Sequence, residues 1–252
     1  MNISNKVVVV TGGSRGLGLG LVEALVDHGA IVKVVARGKA DLDAVRARLG
    51  VETISADVAD PAAAKRILSD HRPEILVLNA GAIPLMGPID RIGWEDFSAT
   101  WNADVKAGLY WLQAALNLPL PPGSRVLVGS SGAAQQGSPL SGGYGGAKRM
   151  LWLMAKYANG VSTEKGLGVR FQAILPLQMI AGGGVGKAGS EAYAAALGVA
   201  PEAFLARFGA PMTPRQYGDH IVSILEDAKY EPALALGLKG ESGITVLEGA
   251  AA

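Results

Sequence analysis

The chain contains no cysteine, which excludes disulfides, thiol nucleophiles and cysteine-ligated metals together. Its three histidines, His28, His71 and His220, stand far apart with no second ligand at useful spacing, so they read as core or surface residues rather than a metal site. No charge of one sign dominates, since 23 Lys and Arg stand against 22 Asp and Glu without a block of either. That balance gives no footprint for nucleic acid or an anionic membrane surface. No apolar run reaches the roughly 20 residues of a membrane span. The opening stretch runs straight into an apolar strand without a charged leader, from which a soluble cytoplasmic protein is expected. No G-x-S-x-G elbow surrounds Ser131, which disfavours a serine hydrolase.

What the chain does have is apolar residues, at 49%, and glycine, at 35 residues. The first supports a sizeable core, and the second implies many tight turns. At 252 residues, with no internal repeat or linker, the expectation is one domain over 1–252.

Val7 to Val10 is β-branched and too short for a helix. It ends in Thr11-Gly12-Gly13-Ser14-Arg15-Gly16-Leu17-Gly18, after which Leu21, Val22, Leu25 and Val26 recur at helical spacing up to His28-Gly29. A second β-branched strand, Ile31 to Val35, follows. Strand, glycine turn, helix and strand form the dinucleotide-binding arrangement, in which a pyrophosphate rests on a helix N-terminus. Gly12 then serves the tight turn, Gly16 the approach to phosphate, and Gly18 the packing of the helix. The spacing differs from the G-x-G-x-x-G fingerprint.

The alternation continues with helices at Ala40–Leu49, Pro61–His71, Trp94–Leu116 and Gly145–Asn159. Strands are expected at Val51–Ser55, Glu74–Leu78, Arg125–Gly129 and Val169–Leu175, with a chain break at 119–123. Such alternation predicts an α/β fold, a Rossmann-like doubly wound parallel sheet with helices on both faces. Phe97, Trp101, Val105, Leu109 and Leu112 form an apolar stripe read as core.

Tyr144 and Lys148 lie four residues apart, one above the other on a helix. A tyrosine with a pKa near 10 is a poor proton carrier at neutral pH, and an adjacent ammonium favours its phenolate. That pair suits general acid/base work at a carbonyl. Ser131, thirteen residues before Tyr144, ends a strand and offers a hydroxyl for the carbonyl oxygen; alternation turns its neighbour Ser130 the other way.

Taken together, Thr11-Gly12-x-x-x-Gly16-x-Gly18, Asn79-Ala80-Gly81, Asn102, Ser131, Tyr144 and Lys148 resemble the short-chain dehydrogenase/reductase family in its compact form. The resemblance implies Tyr144 as general acid/base, Lys148 beside it on the nicotinamide ribose, and Ser131 on the substrate oxygen. It implies Asn102 at a local interruption of the long helix, holding a water in a proton relay. Cofactor contacts are implied for Gly12, Ser14, Arg15, Gly16, Leu17 and Gly18, for Arg37, Asp57 and Val58, and for Asn79, Ala80 and Gly81. Tyr144, Lys148, Pro176 and Met179 complete the set. Homodimers or homotetramers are implied as well, with no metal.

Cofactor choice has a physical argument. A carboxylate at the end of the second strand would bind the ribose hydroxyls of NAD and repel a 2′-phosphate. Here that position is Ala36, followed by Arg37, with Arg15 as a second cation, so NADP(H) is favoured over NAD(H). The expected function is NADP(H)-dependent interconversion of a carbonyl and an alcohol. An isomerase or dehydratase using the same residues, and a catalytically silent nucleotide sensor, stand beside it as alternatives.

Two regions depart from the family: the segment from Pro176 to Ala181, and Leu234 to Leu247, which lacks the usual Thr-Gly step and terminal glycine pair. Pro176-Leu177-Gln178-Met179-Ile180-Ala181 lacks the usual glycine and threonine. Ala181 to Ser190 looks like a P-loop but fails its pattern and reads as part of a flexible, glycine-rich substrate lid around 177–215. Small and apolar residues at 83–92, 135–142 and 177–215 lean toward an uncharged, fairly hydrophobic small-molecule substrate.

Overall fold

The computed structural model describes residues 1–118, 120–180 and 183–249. Pro119 of the expected chain break, and Ala181 and Gly182 of the expected lid, lie outside them. Strand β1 (Val7–Thr11) leads into helix α1 (Gly16–Asp27), then β2 (Ile31–Ala36), α2 (Lys39–Leu49), β3 (Glu52–Ser55), α3 (Pro61–His71) and β4 (Ile75–Leu78). Next come α4 (Trp94–Thr100), a π-helical turn (Trp101–Val105), α5 (Lys106–Asn117), β5 (Arg125–Gly129), the short α6 (Ala133–Gln136) and α7 (Tyr144–Glu164). The chain finishes with β6 (Arg170–Pro176), α8 (Gly184–Leu197), α9 (Pro201–Leu205), α10 (Pro214–Glu226) and the strands β7 (Ala233–Lys239) and β8 (Gly243–Gly249).

One sheet holds all eight strands in the order β3-β2-β1-β4-β5-β6-β7-β8. Every neighbouring pair is parallel except β7 with β8, which form an antiparallel hairpin with a register shift near Ala235. Both faces are covered, which is why the central strands are near-continuous apolar runs instead of alternating ones. Val8, Val10, Val34, Val77 and Leu127 face a layer built from α1, α2 and α10, with Leu21, Leu25, Val45, Tyr217 and Ile221 in it. Val9, Val35, Leu76, Val126 and Val128 face the opposite layer, where α3, α5 and α7 bring Ile67, Trp111, Leu112, Leu151 and Trp152.

The chain runs from β1 outward to β3, then crosses to β4 on the other side of β1. The crevice at the carboxyl ends of β1 and β4 is therefore the switch point at which open α/β sheets hold ligands. No helix among the described residues is long and apolar enough to cross a membrane.

The π turn interrupts the helix from Trp94 at Asn102, as the resemblance implies, but two details differ from the sequence reading. Of the expected stripe only Leu112 is buried. Trp101 and Leu109 are 38% and 43% exposed. The buried face instead carries Thr100, Asp104, Ala107 and Trp111. Finally, the glycine-rich stretch is not a loop after Gly183, because α8 already begins at Gly184. A side chain at Gly184 would meet Ile83 Cδ1 at 2.6 Å and one at Gly186 would meet the Ile180 carbonyl at 2.8 Å, so the bare backbone lets α8 start against both.

Candidate active site

The nucleotide end is built where β1 and β4 finish. Thr11 Oγ1 accepts the N–H groups of Asn79 and Ala80 at 3.1 and 3.2 Å and donates to the Val77 carbonyl at 3.3 Å. Asn79 Nδ2 donates to the Gly12 carbonyl at 3.3 Å, locking the glycine turn to the end of β4. Gly12 has φ +68°, and a Cβ there would lie 2.7 Å from the Ala80 Cα, so conformation and space both require glycine. A Cβ on Gly18 would run into the Gly12 carbonyl and lie 2.6 Å from Asn79 Nδ2. Gly16, by contrast, has φ +54° and faces open space.

Helix α1 starts at that open position with no side chain capping its N-cap, Arg15, and no acid in its first turn. Its first N–H groups thus remain for an anionic ligand, with the helix dipole in the favourable sense. Arg15 and Arg37 are exposed beside it, and neither forms an ion pair among the described residues. Ala36 is half-buried at the end of β2, with no carboxylate there. Ser14 and Leu17 are half-buried in the turn. Asp57 Oδ1 caps its own turn by accepting the Ala59 N–H at 2.9 Å, and the Val58 carbonyl takes the Trp111 indole N–H at 3.0 Å. These residues fit a dinucleotide: a glycine-rich turn, an uncapped helix end and exposed cations.

The proton-transfer end lies on α7. Tyr144 opens the helix and Lys148 follows one turn later, its Nζ 5.5 Å from the centroid of the Tyr144 ring. Both are buried. Ser130 Oγ donates to the Lys148 carbonyl at 2.7 Å. Ser131 is only half-buried and accepts the Ala133 N–H at 3.3 Å, a long and weak contact that leaves its hydroxyl proton uncommitted.

Asn102 is not brought to this group. It is exposed on the π turn, and its Nδ2 points to Ser98 Oγ at 3.3 Å. The inward position belongs to Asp104, whose Oδ2 stands 2.9 Å from Lys148 Nζ, with side-chain exposures of 1% and 8%. Burial pulls the Lys148 pKa down, but the Asp104 charge and the neighbouring Tyr144 outweigh it, so the ammonium is held above its ordinary value.

Pro176 ends β6, and its carbonyl accepts the Gly132 N–H at 2.7 Å. The Met179 carbonyl accepts the Met212 N–H at 3.0 Å, which joins the chain after β6 to the segment before α10. Leu177, where the family usually has glycine, fits because Gly237 and Gly132 beside it have no side chains.

The sequence reading missed Tyr193. From α8 its hydroxyl pairs with Ser138 Oγ at 2.8 Å and accepts the Leu140 N–H at 3.1 Å, while its ring stacks on Phe204 of α9 at 5.7 Å. This docks α8 onto the loop before α7. An open depression of about 330 Å³ lies along the same loop, lined by Gly87, Ile89, Ile92 and residues 136–139 and 142, but not by Ser131, Tyr144 or Lys148.

Comparisons with known proteins bear on the family and the fold. A family model described as short chain dehydrogenase matches residues 6–194. Among curated relatives, an oxidoreductase of Sarocladium schorii, asL5, is 28% identical over 204 residues, covering 76% of this chain and 80% of the relative. The human L-xylulose reductase is 35% identical over 106 residues, but the match spans only 42% of this chain and 43% of that protein. A solved structure of NAD+-bound xylitol dehydrogenase superimposes with a TM-score of 0.83 at 20% identity, covering 95% of this chain and all of the other. A blue fluorescent protein from a metagenomic library, solved with NADPH, gives 0.76 at 24% identity over 95% of this chain and 98% of the other.

Proposed function

The chain belongs to the short-chain dehydrogenase family, and on that premise we propose that it is an NADP(H)-dependent oxidoreductase interconverting a carbonyl and an alcohol. The observation that carries the reading is the buried pair on α7, with the Lys148 ammonium one turn from the Tyr144 phenol and held charged. In the direction of reduction Tyr144 gives its hydroxyl proton to the substrate oxygen; in oxidation it takes the alcohol proton. Ser131 donates its free hydroxyl to the same oxygen. Lys148 stabilises the phenolate and binds ribose.

The nicotinamide, when bound, supplies or accepts the hydride. The glycine turn, the N-terminus of α1 and Asn79 to Gly81 hold the nucleotide, and Arg15 and Arg37 meet a 2′-phosphate. Residues 177–215, with α8 docked through Tyr193, form the lid over the substrate. Exposed Trp101 and Leu109 on the long helix, with exposed Tyr157 on α7, support pairing of these helices between two copies.

Nicotinamide absorbance followed with a panel of ketoses and apolar ketones tests the reading. The relative named for L-xylulose and the structure named for xylitol argue for including polyhydroxylated substrates. Turnover of at least one carbonyl with NADPH is expected. Tight NADPH binding with no turnover of any of them would overturn it in favour of a nucleotide sensor.

A further inference from the structure

Asp104 has no role in the mechanism above, yet it is buried within the group that performs it. A carboxylate withdrawn from water is unfavourable unless it is both paired and hydrogen-bonded. Asp104 meets both conditions. The Ala82 N–H, just past the end of β4, donates to Oδ1 at 2.7 Å, and Lys148 Nζ lies 2.9 Å from Oδ2. Oδ2 meets Lys148 as an ion pair and has no hydrogen-bond partner among the described residues. The charged and titratable groups acting on Lys148 are Asp104, from the π turn, and Tyr144, from its own helix. The other elements against it bring no charge: β4 leads to Gly81, where an added Cβ would lie 3.2 Å from Nζ, and β5 leads to the Ser130 hydroxyl. The ammonium is therefore shared between a carboxylate and a phenol.

We propose that Asp104 is a positioning residue of this site, anchoring the Lys148 ammonium to the end of β4 and drawing on its charge, so that the site releases its proton at a higher pH than an unshared lysine would set. The physical reason is that a carboxylate disfavours a second anion nearby, and the phenolate would be that anion. At neutral pH the site then keeps the proton that carbonyl reduction consumes. In that step the phenol O–H bond breaks, the proton passes to the substrate oxygen, and the electron pair stays on the phenolate. The inference rests on the acid/base role proposed for Tyr144.

Asp104→Asn tests it, because the amide keeps an acceptor for the Ala82 N–H while removing the charge. The expected result is a fall of about one unit or more in the pH midpoint of the acid limb of alcohol oxidation, with NADPH affinity nearly unchanged. An unmoved or raised midpoint overturns the proposal. Tyrosinate absorbance, taken as the difference between each protein and its Tyr144→Phe counterpart, follows the same proton without any substrate. A downward shift there in a protein that turns over no carbonyl sinks the reductase reading and leaves this one standing. Should Asp104→Asn alone lose its fold, adding Lys148→Met is expected to restore it by removing both buried charges. A double variant melting no higher than either single variant overturns the pairing.

Discussion

Ser130 Oγ donates to the main-chain carbonyl of Lys148 at 2.7 Å, fastening the end of β5 to the first turns of α7. Ser131, the next residue, is half-buried and accepts only the long contact from the Ala133 N–H among the described residues. Two adjacent serines therefore serve separate ends. Ser130→Ala is expected to cost about 1 kcal/mol of stability, the worth of a hydrogen bond whose acceptor is left buried, and to lower the melting temperature. Ser131→Ala should leave melting unchanged and lower kcat. Interchanged outcomes would refute the assignment.

Tyr144→Phe removes the proton carrier without emptying space. Turnover is expected to fall by about 10²-fold or more, the usual contribution of a positioned acid/base group, while NADPH affinity changes little. Single-turnover kinetics beside fluorescence titration of cofactor measures both. Wild-type turnover in this variant would remove Tyr144 from the mechanism.

Ala36→Asp places a carboxylate at the end of β2, beside Arg37. It should repel a 2′-phosphate and accept the hydroxyls of an unphosphorylated ribose. The ratio of kcat/KM for NADPH over NADH is expected to fall by about tenfold or more, equivalent to about 1.4 kcal/mol. An unaltered ratio refutes the role given to Arg15 and Arg37.

Glu248 on β8 holds Lys156 of α7 at 2.5 Å and the Trp152 indole N–H at 3.0 Å. The Lys156 bond, ahead of the opposing effect of burial, and the Trp152 bond hold its pKa below the usual 4.5. A carboxylate depressed in the folded state contributes stability above its unfolded pKa and loses it as pH falls through the folded one. Glu248→Gln should therefore melt less steeply with acidification below about pH 5 than the parent does. The effect is modest because Lys156 is half exposed. Parallel melting curves for the two proteins would show that the contact contributes nothing.

Much of the architecture was legible because it follows from local chemistry. Pro61 at the first turn and His71 at the last bound α3 as expected, and Arg125–Gly129 is a strand because a buried parallel sheet accepts an unbroken apolar run. The glycine turn and the Tyr144–Lys148 spacing were legible for the same reason. What escaped is which residue of the interrupted helix faces the site. The π turn at Trp101–Val105 brings Asp104, rather than Asn102, into the site. A signal was present, since Thr100 and Asp104 share a helical face with Ala107 and Trp111, and polar residues on a buried face demand partners. Tyr193 left no such trace. Its partners Ser138 and Leu140 lie 55 and 53 residues away, and only the completed fold brings them together.

The strand order also governs how the molecule comes into being. Val8 pairs with Ile75 across the middle of the sheet, so the central contact of the fold joins residues 67 apart, and the outermost hairpin comes from the last strands of the chain. Loop closure has to precede each such pairing, so this sheet is expected to form more slowly than a fold built from local contacts. The nucleotide cradle needs β1, α1, β2 and β4, whereas the proton carrier needs β5 and α7 on top of them. A refolding chain is therefore expected to regain its affinity for dinucleotide before it regains turnover.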